Sequence, residues 1–512
     1  MITRRQLLSS AGALSGSAGV AGLLAALGAM PHSATAQTVT LRPARPQRKV
    51  LLLGAGISSL MAAFELEQAG YVCEILEASH RAGGRCMTLR SGDIVDEIGN
   101  RQVCRFDDDP TLYFNAGPSR IPHEHATVLG YCQRLGVSLE TSVNLNPAAW
   151  LQFDAFNGGQ RMRQKQYIAD ARGFMAELTQ KGLDDAWLDA ELGESDRDLL
   201  RQFLRSYGDL GAEDRYRGST RSGYSSGGLV APGVLRDTTA LKDLLKADFW
   251  RMGMHFAESS LQSAVLQPVG GMDRIVTAVT ARLRSKPRLH SVVVGIDVQP
   301  EGVEVHYRER GELRRTRADY CLSAIPAQLL LGVDNNFSAD YRRLLAGRPR
   351  GKLSRLGLQM RERFWEAEGI YGGISWTGQD ITQIMYPSGG FGGRKGVLVG
   401  AYILSGEIND RWVNLTAEER IERALQQGEK LHPGYRSYFE SGVSVAWHRM
   451  NHMLGCTATG SDPGTAAALR APFGRHYLIG DQVANYGGWL EASVLSALAA
   501  LRDLDAREVE AA

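Results

Sequence analysis

The chain has 512 residues, 44% hydrophobic and 22% charged, the composition of a folded protein too long for one simple core, so two or three domains are expected. Lysine plus arginine number 58 against 56 for aspartate plus glutamate, and a net charge of +2 leaves no electrostatic case for nucleic acid. Six cysteines stand singly, without Cys-x-x-Cys or Cys/His ligand spacing, so no metal site is expected.

The first 36 residues differ from the rest. Thr3-Arg4-Arg5-Gln6-Leu7-Leu8 opens an Ala/Gly/Leu-rich stretch that runs to Met30, and Ala34-Thr35-Ala36 precedes Gln37. This reads as a twin-arginine export signal with an Ala-x-Ala cleavage site, too rich in Gly and Ser for a membrane anchor. The mature protein is expected to begin near Gln37, in the periplasm or outside the cell. Residues 37–47 form a Pro/Arg-containing leader.

A dinucleotide-binding unit follows. Val50 to Leu53 form an apolar run suited to a strand buried on both faces. Gly54 and Gly56 turn the chain, and at Gly56 the backbone can approach a pyrophosphate. The helix opening at Ile57, Ser58 and Ser59 presents free N–H groups to that anion. Gly70 stops the helix, Val72 to Leu76 make a second strand, and Glu77, followed by Ala78, is placed to take ribose hydroxyls. Ser59 stands where the pattern prefers Gly or Ala, which predicts slightly looser helix–strand packing. Beyond it, Gly83, Gly84 and Arg85 add a second glycine turn and a guanidinium fork suited to phosphate oxygens.

Further along, Gly117-Pro118-Ser119-Arg120 sets an arginine after a tight turn, a residue type that binds carboxylate bidentately and stays charged. Residues 121–266 are rich in helix formers, as in Ile168 to Thr179 and Ser195 to Tyr207, and are interrupted by the Gly/Ser-rich run from Gly218 to Gly228. A hairpin is predicted at Ser291 to Asp297 and Gly302 to Tyr307, then a short buried strand within Asp319 to Pro326. Residues 330–453 alternate strands and helices. Arg475 to Asp481 is another strand-to-turn element, with a helix from Leu490 to Leu501.

With these motifs in place, the chain from about residue 48 to 505 resembles the flavin-containing amine oxidases, in which an acid followed by a Gly-Gly-Arg turn is a signature of FAD binding. At Gly117 to Arg120 it is most similar to bacterial L-amino-acid oxidases. The resemblance implies an α/β fold: a discontinuous, Rossmann-like FAD-binding domain (48–120, 267–329 and 454–505), a helical region (121–266) and an α+β substrate-binding domain (330–453). It implies that Gly117, Pro118, Ser119 and Arg120 pass the flavin ring, with Arg120 and Tyr386 on the substrate carboxylate. Val293 would hold adenine, and Lys352 would hold a water near flavin N5 as the catalytic cation. In the closing run, Asp481, where the family usually has Glu, would accept from ribityl hydroxyls. Gly488 and Trp489 would line the substrate amine, and Leu490, Glu491, Ala492 and Ser493 would open a helix onto the cofactor. Cys456 lies near the position of covalent attachment in monoamine oxidases, but its surroundings match poorly, so FAD is expected to be non-covalent.

The implied activity is oxidative deamination of an L-amino acid to a 2-oxo acid, ammonia and hydrogen peroxide. Three alternatives stand beside it: an oxidase of amines lacking a carboxylate, a decarboxylating amino-acid 2-monooxygenase, and a flavin-binding scaffold without activity. The expected partners are the amino acid, O₂ and the twin-arginine export machinery, with no nucleic acid and with a homodimer left open.

Overall fold

The structure, a computed structural model, describes residues 36–44, 48–183, 193–251, 253–254, 264–457 and 463–510. The twin-arginine segment lies outside them. From Gln37 the chain is tied to the body: the Gln37 amide donates to Thr127 Oγ1 at 3.1 Å and the Arg42 amide to Asp505 at 2.9 Å. No helix among the described residues is long and apolar enough to cross a membrane.

The strand Lys49–Leu53 is central in a four-stranded parallel sheet, between Val72–Leu76 on one side and Tyr320–Ser323 on the other, with His476–Leu478 at the far edge. Its side chains alternate between two cores. Val50 and Leu52 pack with the helices Ile57–Gln68 and Leu490–Glu510, while Leu51 and Leu53 pack under the hairpin residues Val305 and Tyr307. Burial on both faces is why this strand is continuously apolar. Three distant stretches of sequence supply the sheet, so the cofactor domain is discontinuous. All four strands end at one edge, where Gly54, Glu77, Ala324 and Ile479 follow.

Ser59 is buried in the helix–strand contact and its hydroxyl has no hydrogen-bond partner. The predicted hairpin spans Ser291–Gln299 and Gly302–Glu309, and a third strand, Glu312–Ala318, extends it.

Against the expected division, residues 121–266 are not uniformly helical. Helices Gln164–Gly182 and Glu194–Gly208 are present, but Trp150–Gln152 and Met162–Arg163 are strands of the substrate sheet, and Ile121–Pro122 and Leu139–Thr141 pair with Val265–Pro268. Part of the Gly/Ser-rich run forms a small hairpin, Tyr224–Ser226 with Val234–Leu235, whose glycines crowd the Tyr224 ring.

The substrate sheet has seven strands. Its centre is Gln383–Tyr386, Gly396–Ile403 and Ser354–Met360, bounded by Phe439–Ala446. Arg355 pairs with Tyr402 and Leu356 with Ala401, but Gly357 pairs with Val399, leaving Gly400 as an extra residue. This bulge shifts the side-chain alternation by one. Val397, Val399 and Tyr402 therefore share one face, packed with Phe114 and Trp447, while Leu398, Ala401 and Ile403 share the other with Tyr386 and Trp365. A buried ion pair, Arg420 to Glu97 at 3.0 Å, ties the helix Ala417–Gly428 to the strand Ile94–Glu97.

Candidate active site

A cavity of about 410 Å³ runs from the carboxyl edge of the parallel sheet to the substrate sheet. Gly54 takes a φ of +86°, which closes the turn, and the helix that follows has Gly56 as its N-cap with no side chain bonded to the free N–H groups. Nothing lies within 4 Å of where a Cβ on Gly56 would stand, so the backbone there faces open space, as a pyrophosphate requires. Gly83 donates to the Ala55 carbonyl at 2.8 Å and docks the second glycine turn beside the first. Gly117 sits so close that a Cβ would lie 1.8 Å from the Arg85 carbonyl, which fixes glycine at that position.

Glu77 is buried, and its carboxylate accepts from the amides of Ala55 at 2.6 Å and Ser79 at 2.8 Å. It thereby stiffens the glycine turn while lining the cavity. Arg85 forms a forked pair with Asp481 and also donates to the Cys456 carbonyl. Asp481 further accepts from Thr457 Oγ1 and from the Gly488 amide, each at 3.0 Å. Burial pushes the Asp481 carboxyl up, but the charge and hydrogen bonds of Arg85 outweigh it and hold the group well below the usual carboxylate range.

Of the residues expected to hold the cofactor, the cavity brings together Gly54, Gly56, Ile57, Ser58, Glu77, Ala78, Gly83, Gly84, Arg85, Gly117, Pro118, Val293, Asp481, Gly488, Trp489, Leu490 and Ser493. Five others stand elsewhere. Ser59 and Ala492 are on helix positions turned from the cavity. The Glu491 carboxylate caps the helix Ala126–Leu135, accepting from Thr127 and Val128 at 3.0 and 2.8 Å. Ser119 and Arg120 face a second, larger cavity of about 1050 Å³.

Arg120 lies on the wall of that larger cavity, with Nη1 donating to Asn144 at 3.1 Å, and burial lowers its pKa. Tyr386 also lines this cavity, but its hydroxyl is turned away from Arg120. Met385, its neighbour on the strand, pairs with Val399 and faces the larger cavity, and alternation directs the Tyr386 hydroxyl toward the opposite side. There its hydroxyl is buried against Ser375 Oγ at 2.7 Å and His432 Nε2 at 2.6 Å. The tyrosine at the junction is Tyr402, which the sequence reading missed because the bulge at Gly400 reverses the side-chain parity.

Lys352 is also displaced from its expected role. It precedes the strand Ser354–Met360, its side chain is 43% exposed, and it pairs with Asp410 on the surface. Besides Arg85 and Arg350, the flavin cavity is lined by Arg355, one residue inside the strand and 2% exposed. Cys456 is half-buried and lines the same cavity, with burial raising its thiol pKa.

The open glycine cradle, two helix N-termini and the Arg85–Asp481 fork fit a flavin dinucleotide, and together with the fold they define a flavoprotein oxidoreductase. The chain belongs to the flavin-containing amine oxidoreductase family, whose model matches residues 57–504, and its cofactor is FAD. It is 27% identical over 497 residues to the flavin-dependent L-tryptophan oxidase RebO of Lentzea aerocolonigenes, covering 90% of this chain and 99% of that protein. An L-amino-acid oxidase of Sistrurus catenatus edwardsii is 25% identical, covering 90% and 87%. Among solved structures, wild-type putrescine oxidase bound to putrescine aligns with a TM-score of 0.61 at 19% identity, over 90% of this chain and 99% of that one. Cyclohexylamine oxidase from Brevibacterium oxydans IH-35A also gives 0.61, at 18% identity over 91% and 100%.

Proposed function

We propose that this flavin amine oxidase oxidises an L-amino acid at Cα, giving a 2-oxo acid, ammonia and hydrogen peroxide. The observation that carries the reading is Arg120, a partly buried guanidinium on the wall of the larger cavity beside its junction with the flavin cavity. A neutral amine has no use for such a group, whereas a carboxylate takes its forked donors at once. FAD supplies the two-electron acceptor and returns the electrons to O₂. The protein's own contribution is positional: Arg120 and the Tyr402 phenol hold the carboxylate, and Val399 and Met385 wall the junction with apolar surface. Relatives that are L-amino-acid and L-tryptophan oxidases support the same reading.

The test is an anaerobic flavin-bleaching screen across L- and D-amino acids, putrescine and cyclohexylamine, repeated on Arg120→Ala. Bleaching by L-amino acids that Arg120→Ala weakens by about 10²-fold or more supports the proposal. Bleaching by simple amines alone, unchanged by the substitution, makes the protein an oxidase of non-carboxylate amines. We further propose export through the twin-arginine route with cleavage before Gln37. N-terminal sequencing of protein from the periplasmic fraction and medium checks it, and Met1 retained there counts against it.

A further inference from the structure

Arg355 is a buried charge of a different kind from Arg120. Its Nη1 donates to the Gly117 carbonyl, its Nη2 reaches only the Met385 sulfur at 3.9 Å, and its Nε is buried with no hydrogen-bond partner. The Tyr402 and Phe114 rings lie 4.7 and 5.8 Å from the guanidinium carbon. No carboxylate among the described residues offsets it. Burial, with repulsion from Arg120, lowers Arg355 to about 10, still charged at neutral pH. Burying an uncompensated cation costs several kcal/mol, so its position is understandable only if an anion comes to it.

Arg120 and Arg355 face different spaces. Arg120 opens on the larger cavity, where a substrate carboxylate enters, and Arg355 opens on the flavin cavity, next to Gly117. The isoalloxazine is neutral when oxidised and gains negative charge on reduction. We propose that Arg355 is the counter-cation of the flavin ring: it stabilises negative charge on the isoalloxazine and so sets the flavin's electron affinity, independently of substrate binding. The proposal rests on FAD occupying this cavity and not on the amino-acid reading.

Sulfite tests it without any substrate, because sulfite adds to an electron-poor flavin, leaves negative charge on the ring and bleaches its visible band. Holoprotein carrying Arg355→Met is expected to bind sulfite about tenfold or more weakly than the parent, and Arg355→Lys, which keeps the charge, within about threefold. A Met variant that retains FAD and binds sulfite as tightly as the parent overturns the proposal. So does a Lys variant as weak as the Met variant, which would assign Arg355 to holding the Gly117 carbonyl. Should the Met variant lose its flavin, the parent holoprotein decides: the flavin N3–H must titrate at lower pH than in free FAD in the same buffer, and an equal or higher value overturns the proposal. A failed amino-acid screen leaves each of these readouts intact.

Discussion

Replacing Tyr402 by Phe removes one hydroxyl at the junction of the two cavities and leaves the ring that lies over Arg355. A hydrogen bond to a charged group contributes about 1.5–3 kcal/mol, so Tyr402→Phe is expected to raise KM for the amino acid by about tenfold or more with an unchanged flavin spectrum. Tyr386→Phe gives the opposite pattern, a stability loss of about 1 kcal/mol in thermal melts and an unaltered KM, because its hydroxyl bonds Ser375 and His432 in the sheet core. Lys352→Ala is expected to leave kcat/KM within about twofold of the parent, since its partner Asp410 is itself 57% exposed. The turn before Arg120 was legible in the sequence because it is local, with Gly117 and Pro118 lining the flavin cavity, whereas Arg120 itself lies on the wall of the larger cavity. Lys352 and the Tyr386 hydroxyl point elsewhere than expected because their directions depend on where a strand starts and on which face it buries, and neither is written in a short motif.

At the level of elements, legibility followed burial. Val50 to Leu53 could be recognised because a strand packed on both faces must be apolar throughout, and Glu77 because the turn it closes has a fixed span. The strands Trp150–Gln152 and Met162–Arg163 are only two or three residues long and join a sheet whose other members begin only at Ser354, so nothing local marked them. That sheet is locked to the helix Ala417–Gly428 through Glu97, which accepts from Arg420 and from the Ala446 amide at 2.6 Å. Burial raises the Glu97 pKa, and Arg420 opposes the rise. Removing one partner strands the other charge, so Glu97→Ala or Arg420→Ala is expected to cost about 3–5 kcal/mol in denaturant melts. A loss below about 1 kcal/mol would show that water reaches the pair.

For the whole molecule, acid is the expected point of weakness. Burial lowers His125, His448 and His476 from the ordinary 6.5 to about 4 each, so between those values the unfolded chain binds more protons than the folded one. Stability should fall as pH drops through that window. Asp481 acts lower still: with its folded pKa depressed, its contribution is complete above the unfolded value and is lost as pH falls toward the folded one. His476, packed against Phe337 with ring centroids 5.0 Å apart, offers the cleanest probe. His476→Phe should narrow the difference in melting temperature between pH 7 and pH 5, and an unchanged difference would remove this ring from the account. The order of the parallel sheet has a further consequence, for synthesis. Its edge strand, the acid that pairs with Arg85 and the second helix opening on the cofactor all belong to residues 476–510, made long after the glycine turns that they complete. A nascent chain up to His476 has its glycine turns in place but lacks Asp481 and the second helix opening, so the complete flavin site forms only after residues 476–510 have been made.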